Sequence, residues 1–203
     1  NNIFCQQITR DPRSGAISFG REGALNLATY KTDGIDVQFD WGFDLAGIGL
    51  GEDAGTMRLN SVVTYTRSFK VSSLPGSPVL DYVGSIGNNA VSPQIAHPRW
   101  KTNTSLGYTS GAFTITGRWR FIDKMIHQDK VVNPAATTPG VPAYSYFDAD
   151  FTVNVSDRFQ FTGGITNIGN KAPPFVSGQP LTTDSATYDI IGRSFFVGAK
   201  VKF

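Results

Sequence analysis

From residue 35 onward the chain sorts its side chains in twos. Ile35, Val37, Phe39, Trp41, Phe43 and Leu45 take the odd positions, and Asp36, Gln38, Asp40, Gly42 and Asp44 lie between them. Side chains alternate across a strand, so this stretch predicts a strand with one apolar and one polar face. The pattern returns along the chain. Leu59, Val63, Tyr65 and Phe69 oppose Arg58, Asn60, Thr64 and Thr66, with Ser61, Val62 and Arg67 out of step. Trp100, Leu106 and Tyr108 oppose Lys101, Asn103, Ser105 and Thr109. Phe113, Ile115, Trp119 and Phe121 oppose Thr114, Thr116, Arg118 and Arg120. Phe147, Ala149, Phe151, Val153 and Val155 oppose Asp148, Asp150, Thr152 and Asn154, and Phe159, Phe161 and Ile165 oppose Gln160, Thr162 and Thr166. A seventh strand ends the chain, with Phe195, Val197, Ala199, Val201 and Phe203 opposite Ser194, Gly198, Lys200 and Lys202. Only Phe196 breaks its alternation.

The connections alternate as well. Ser110-Gly111 and Ser156-Asp157-Arg158 are tight hairpin signals, and residues 46–55 make a Gly-rich turn. Between them lie long polar segments at about residues 70–97, 125–143 and 168–191. Short and long connections in turn are how outer-membrane barrels are threaded, with short periplasmic turns and long external loops. The fold class expected is all-β, an antiparallel transmembrane β-barrel portion of about seven strands. With Phe203 at the periplasmic side, the three long segments and residues 1–21 fall outside. Single-chain bacterial barrels carry even strand numbers. Seven strands that start outside do not close one, so the chain is expected to be the C-terminal part of a larger barrel. A soluble β-sandwich also alternates, but its polar faces would turn outward. Charges such as Asp36, Asp40 and Asp44, or Arg118 and Arg120, suit a wet lumen better.

Composition agrees with strands. The 203 residues hold 22 Gly, 12% aromatics and only two Met. Mean hydropathy is −0.15 and no apolar run reaches a transmembrane helix's length; barrel strands alternate and need none. Net charge is +2 with the signs interleaved, so there is no basic stripe for nucleic acid. No signal peptide is visible at Asn1. The single cysteine, Cys5, has no nearby Cys or His for a zinc site, and reads as a free thiol or as half of a pair.

Catalysis has little support. His97 and His127 are the only histidines and sit in no triad or metal spacing. Asp148 and Asp150 lie on one strand face, unlike a carboxylate pair across a cleft. No cofactor is implied. The lumenal charges Asp36, Asp40, Arg58, Arg118, Arg120, Asp148 and Asp150 are expected to pair across strands or to hold a plug. Asp123, Lys124, His127, Asp129 and Lys130 gather before a long loop and are the candidates for ligand contact, the basic members for an anionic ligand.

Several segments resemble the barrel region of TonB-dependent outer-membrane receptors. Asn2-Ile3-Phe4-Cys5 followed by Arg10-Asp11-Pro12-Arg13-Ser14-Gly15-Ala16-Ile17 is similar to a stretch of one large subgroup. Asn26-Leu27-Ala28, Thr32-Asp33-Gly34-Ile35-Asp36 and Pro98-Arg99-Trp100-Lys101 resemble its strand starts. Thr166-Asn167-Ile168-Gly169-Asn170-Lys171-Ala172-Pro173-Pro174, then Tyr188-Asp189-Ile190-Ile191-Gly192-Arg193 and the terminal Phe203, complete the series; Gly169 departs from it, an aromatic being usual there. The resemblance implies the last part of a 22-stranded plugged barrel in the outer membrane of a Gram-negative bacterium. It also implies transport of a scarce small molecule (a siderophore-iron complex, a vitamin or a carbohydrate) driven by the TonB complex through an N-terminal part absent here. It makes Cys5 half of an external disulfide whose partner lies upstream. It makes Phe195, Val197, Ala199, Val201 and Phe203 a signal for the barrel-assembly machinery, with outer-membrane lipid around them. A passive porin is the alternative, and an outer-membrane enzyme ranks third.

Overall fold

The computed structural model describes residues 3–21, 29–74, 76–87, 96–178 and 182–202. Asn2, the Asn26-Leu27-Ala28 motif and Phe203 lie outside these residues. Seven long strands carry the fold: β1 (Thr29–Asp44), β2 (Thr56–Ser72), β3 (Trp100–Ser110), β4 (Phe113–Ile122), β5 (Tyr144–Asn154), β6 (Phe159–Thr166) and β7 (Ser194–Val201). They form one antiparallel meander in the order β7-β6-β5-β4-β3-β2-β1. Among the described residues, no strand pairs with the outer edges of β1 and β7. The one α-helix described is a single turn, Asp129–Val132.

The register lines the apolar positions up across the whole sheet. Trp41, Leu59, Leu106, Gly117, Ala149, Ile165 and Phe195 are successive cross-strand partners, one from each strand. The next row, Gly42, Arg58, Gly107, Thr116, Asp150, Gly164 and Phe196, belongs to the opposite face. The apolar face is bare: Ile35 is 64%, Phe195 71% and Val197 86% exposed. A soluble sandwich would bury these side chains in a second sheet, whereas a barrel turns them to lipid. Paired aromatics mark both ends of the band, Trp41 with Phe43 near the short turns and Tyr65 with Trp100 near the long loops. The Trp119 indole N–H, on the apolar face, donates to the Ser145 hydroxyl on the next strand at 3.0 Å.

Two departures from the alternation have local causes. Phe69 is expected on the apolar face with Tyr65, and it lies on the polar one. Asp33 pairs with Ser68 and Gly34 with Thr66, so Arg67 is an extra residue, a β-bulge that resets the alternation. Gly34 is required there, because a Cβ would fall on the Tyr65 carbonyl oxygen. Phe196 faces the polar side because its ring covers Gly164, where a Cβ would meet it at 2.6 Å. On the apolar face Phe151 covers Gly163 in the same way. Ring over glycine restores packing that a bare glycine leaves out.

The short turns close β1–β2, β3–β4 and β5–β6 at one end. In the first, the Asp44 side chain accepts from the Ala46 N–H, Gly49 takes φ 86°, and the Tyr108 hydroxyl donates to the Ala54 carbonyl. The long loops all lie at the other end, and the buried apolar core is there rather than in the sheet. Ile86 of the first loop meets Met125 and Val141 of the second, Val176 and Tyr188 of the third, and Ile122, Tyr144 and Tyr146 from the strand ends. A small sheet ties the first two loops: Ser85–Ile86 pairs in parallel with Ile126–His127 and antiparallel with Ala96–His97. The segment before β1 holds a hairpin of Ile8–Arg10 and Ile17–Gly20. Its turn is wound around the Asp11 carboxylate, which accepts from the N–H groups of Ser14 and Arg13 and is thereby held below the usual carboxylate pKa.

The facing predicts unequal costs for adjacent charges. Phe39→Arg is expected to destabilise the inserted barrel by about 2–4 kcal/mol near the bilayer midplane, and Asp40→Arg by far less. A membrane-refolding titration of the full-length protein reads the two; equal costs contradict the assignment.

Candidate functional site

The third long loop, between β6 and β7, does not stand away from the barrel. It turns back over the polar face of the sheet. Its two ends are knotted first. Asn167, at φ 54°, is buried, and its side-chain amide both donates to the Lys171 carbonyl and accepts from the Lys171 N–H. Asn170, at φ 47°, accepts the Arg193 N–H beside Gly192, itself at φ 80°. Asparagine tolerates the left-handed region better than other non-glycine residues. The Asn167…Lys171 and Gly192-Arg193 motifs are thus the two ends of one strap.

Arg120 of β4 pins the strap to the wall. Its Nε and Nη2 donate to the Asp148 carboxylate of β5 at 2.8 and 3.1 Å. Its Nη1 and Nη2 donate to the Asp189 carboxylate of the loop at 3.0 and 2.6 Å. One guanidinium thus holds two carboxylates in paired geometry, the stronger form of charged hydrogen bond. Asp148 also accepts the Asn167 N–H, and the Tyr146 ring lies 4.9 Å from the guanidinium carbon. Next to Asp189, Tyr188 packs edge-on against Tyr144, 5.1 Å between centroids. Burial pushes the Tyr188 phenol pKa well up and keeps it protonated. Its hydroxyl and that of Thr183 are buried with no protein hydrogen-bond partner among the described residues.

Cross-strand charge pairing therefore holds at Arg120 and Asp148. Asp40 is satisfied instead by amides, from Asn60 at 2.7 Å and Gln38 at 2.9 Å. Asp36, Arg58, Arg118 and Asp150 form no ion pair among the described residues.

Farther along, the strap and the wall enclose a cavity of about 650 Å3. Thr32 of β1, Thr64, Thr66 and Phe69 of β2 and Lys101 of β3 line its wall side, together with Ala96, His97 and Pro98 just before β3. Asp184, Ala186 and Thr187 of the loop line the other side. The loop leaves β6 and reaches β2, four strand spacings away, or about 19 Å. Phe69 reaches the cavity only because of the bulge at Arg67, and its ring stacks on His97 at 4.1 Å between centroids. Asp184 is buried, and its carboxylate accepts the Ala186 N–H at 3.1 Å and the Thr187 hydroxyl. Among the described residues the hydroxyls of Thr64 and Thr66 and the Lys101 ammonium have no protein partner. A smaller cavity of about 350 Å3 lies within the loop itself, among Pro173, Pro174, Phe175, Thr182, Thr183 and Ile190.

The five residues expected at the ligand line neither cavity. His127 is buried, with Nε2 3.4 Å from the Ser177 carbonyl oxygen and Nδ1 3.0 Å from the Asp129 carboxylate. Asp129 also accepts the Thr138 hydroxyl at 2.7 Å, and Asp123 accepts the Lys124 N–H at 2.8 Å. The His127–Ser177 contact joins the second loop to the third, the others lie within the second, and Lys124 stays exposed. Cys5 is exposed with a free thiol. Phe195, Val197, Ala199 and Val201 are exposed on the apolar face of β7. Of the cavity residues, Thr32, Pro98 and Lys101 lie in the motif stretches at the strand starts, and the others carry no motif. Thr64 and Thr66 read only as a strand's polar face and Asp184 only as loop.

An apolar face, a polar wall and a loop folded across that wall mark a portion of a membrane β-barrel with a cavity at its loop end. The family model for the TonB dependent receptor-like β-barrel matches residues 6–168, most of the chain. The chain belongs to this family, a family of outer-membrane transporters rather than enzymes. No curated protein matches it.

Removing the Arg120 side chain leaves Asp148 buried without its partner, and half-buried Asp189 without a tether. Arg120→Met is expected to cost about 3 kcal/mol, the lower end for a broken buried pair, since the guanidinium keeps some exposure. Arg118→Met, with no ion pair to lose, is expected to change little. Denaturant unfolding of the full-length protein in detergent checks the difference.

Proposed function

We propose that this chain is the C-terminal part of the barrel of an outer-membrane receptor for TonB-driven uptake of a scarce small molecule. The observation that carries the reading is the strap of residues 167–193, held over the polar wall by Arg120 and enclosing a cavity there. A barrel that only retains general permeability has no need of a walled site at its mouth, whereas a receptor needs one to select its ligand. In this reading the long loops face outside and the short turns face the periplasm. The unpaired edges of β1 and β7 join the strands that complete a 22-stranded barrel. Asp36, Arg58, Arg118 and Asp150, which form no ion pair among the described residues, face the plug. Phe195, Val197, Ala199 and Val201 of β7, with the sequence's Phe203, are what the assembly machinery reads. Cys5 pairs with a cysteine upstream of Asn1.

The full-length protein, reconstituted in liposomes, tests this without knowledge of the ligand. The receptor reading expects binding of the isolated periplasmic domain of TonB and no swelling in small sugars. Swelling without TonB binding makes the protein a passive porin. Thiol labelling of intact cells adds the orientation: Ser177→Cys is expected to react and Ser156→Cys to stay protected, and the reverse inverts the topology.

A further inference from the structure

The cavity between the strap and β1–β3 is small-molecule sized, and its chemistry is specific. Among the described residues that line it, the lysine, Lys101, and the carboxylate, Asp184, do not pair with each other. Their formal charges cancel. Thr64 and Thr66 add two hydroxyls without protein partners among the described residues, each able to donate and to accept. Phe69 adds an aromatic ring already fixed by stacking on His97. An ammonium donates only, a carboxylate accepts only, and a threonine does both. Hydroxyl groups on a ligand answer all of these, donating a hydrogen bond to Asp184 and accepting one from Lys101. A ring with an apolar C–H face answers Phe69. An anionic metal chelate is poorly matched. It calls for converging cations, arginines above all, and the described lining offers a lysine and a carboxylate. Among the described residues no His, Cys, Asp and Glu cluster could take the metal itself.

We infer that this cavity binds a neutral, hydroxyl-rich ring, one sugar unit of an oligosaccharide, with Phe69 as its stacking surface and Thr64, Thr66, Lys101 and Asp184 as its hydrogen-bonding groups. The inference rests on the receptor reading, because it makes the sugar the selected ligand. Asp184 lies on the strap and Lys101 on the wall, so an occupant bridges the two. Its binding adds to the hold that Arg120 already has on the loop.

Titration calorimetry of the full-length protein in detergent tests this with four neutral trisaccharides (maltotriose, cellotriose, xylotriose and mannotriose) and with ferric citrate as an anionic chelate. Saturable binding of at least one trisaccharide is expected, and none of ferric citrate. Phe69→Ala and the shape-conserving pair Thr64→Val with Thr66→Val are each expected to weaken it about tenfold or more. Retained heat-modifiable migration on gels shows that each variant is folded. The site is rejected if no trisaccharide binds, if the threonine pair leaves binding unchanged, or if ferric citrate binds and Lys101→Ala abolishes it. The same preparation is assayed for TonB binding. TonB binding without any trisaccharide rejects the sugar site alone, and a trisaccharide bound without TonB rejects the receptor reading alone.

Discussion

A peptide group in hydrocarbon has no water to bond, and every other feature of this chain follows from that constraint. Its N–H and C=O must be satisfied by a neighbouring strand, so the sheet is a continuous ladder in which each strand pairs with those next to it in sequence. Alternation then fixes the faces. One side carries an unbroken apolar row from Trp41 to Phe195, and the other carries Asp150, Arg58 and Thr116. Because the apolar side chains are turned to lipid, none are left to build a core within the sheet. The buried cluster around Ile86, Tyr146 and Tyr188 therefore forms where water returns, among the loops.

That displaced core is what makes a site possible. Loops of this length normally range over the surface, yet three of them share one hydrophobic cluster here. Arg120 adds direction to the packing. It draws Asp189, and with it the third loop, down onto the wall beside Asp148. The loop's continuation then passes over β3 and β2 and closes the cavity. Packing without the ion pair would leave the loop a lid of no fixed height. The ion pair without the cluster would hold one point of a long segment.

The strands were legible because a two-residue period repeats through them and their registers agree. Even the apparent faults had local explanations, Phe196 over Gly164 and the bulge at Arg67. A bulge inserts one residue and reverses the face of all that follows, so Phe69 could not be placed by counting from Tyr65. The motifs in the third loop were visible as strings, but their work was not: Asn167, Asn170 and Gly192 matter for positive φ angles and for contacts across the loop's two ends. Charge alone marks the ligand candidates before the second loop. His127 instead lies buried between Asp129 and Ser177, joining two loops. The cavity was not legible at all, since it is assembled from a threonine face, a bulge-shifted ring and a loop carboxylate far apart in the chain.

The family assignment, the bare apolar face and the polar wall give one account of where this sheet sits: in a bilayer, with its loops folded over a wet interior. The most direct test is the accessibility of a nitroxide spin label moved one residue at a time along positions 35–44 of the full-length protein in lipid. The account predicts oxygen collisions that peak at odd positions and collisions with a water-soluble nickel chelate that peak at even ones, the two out of phase with a period of two. Profiles that rise and fall together, or show no period, would contradict it.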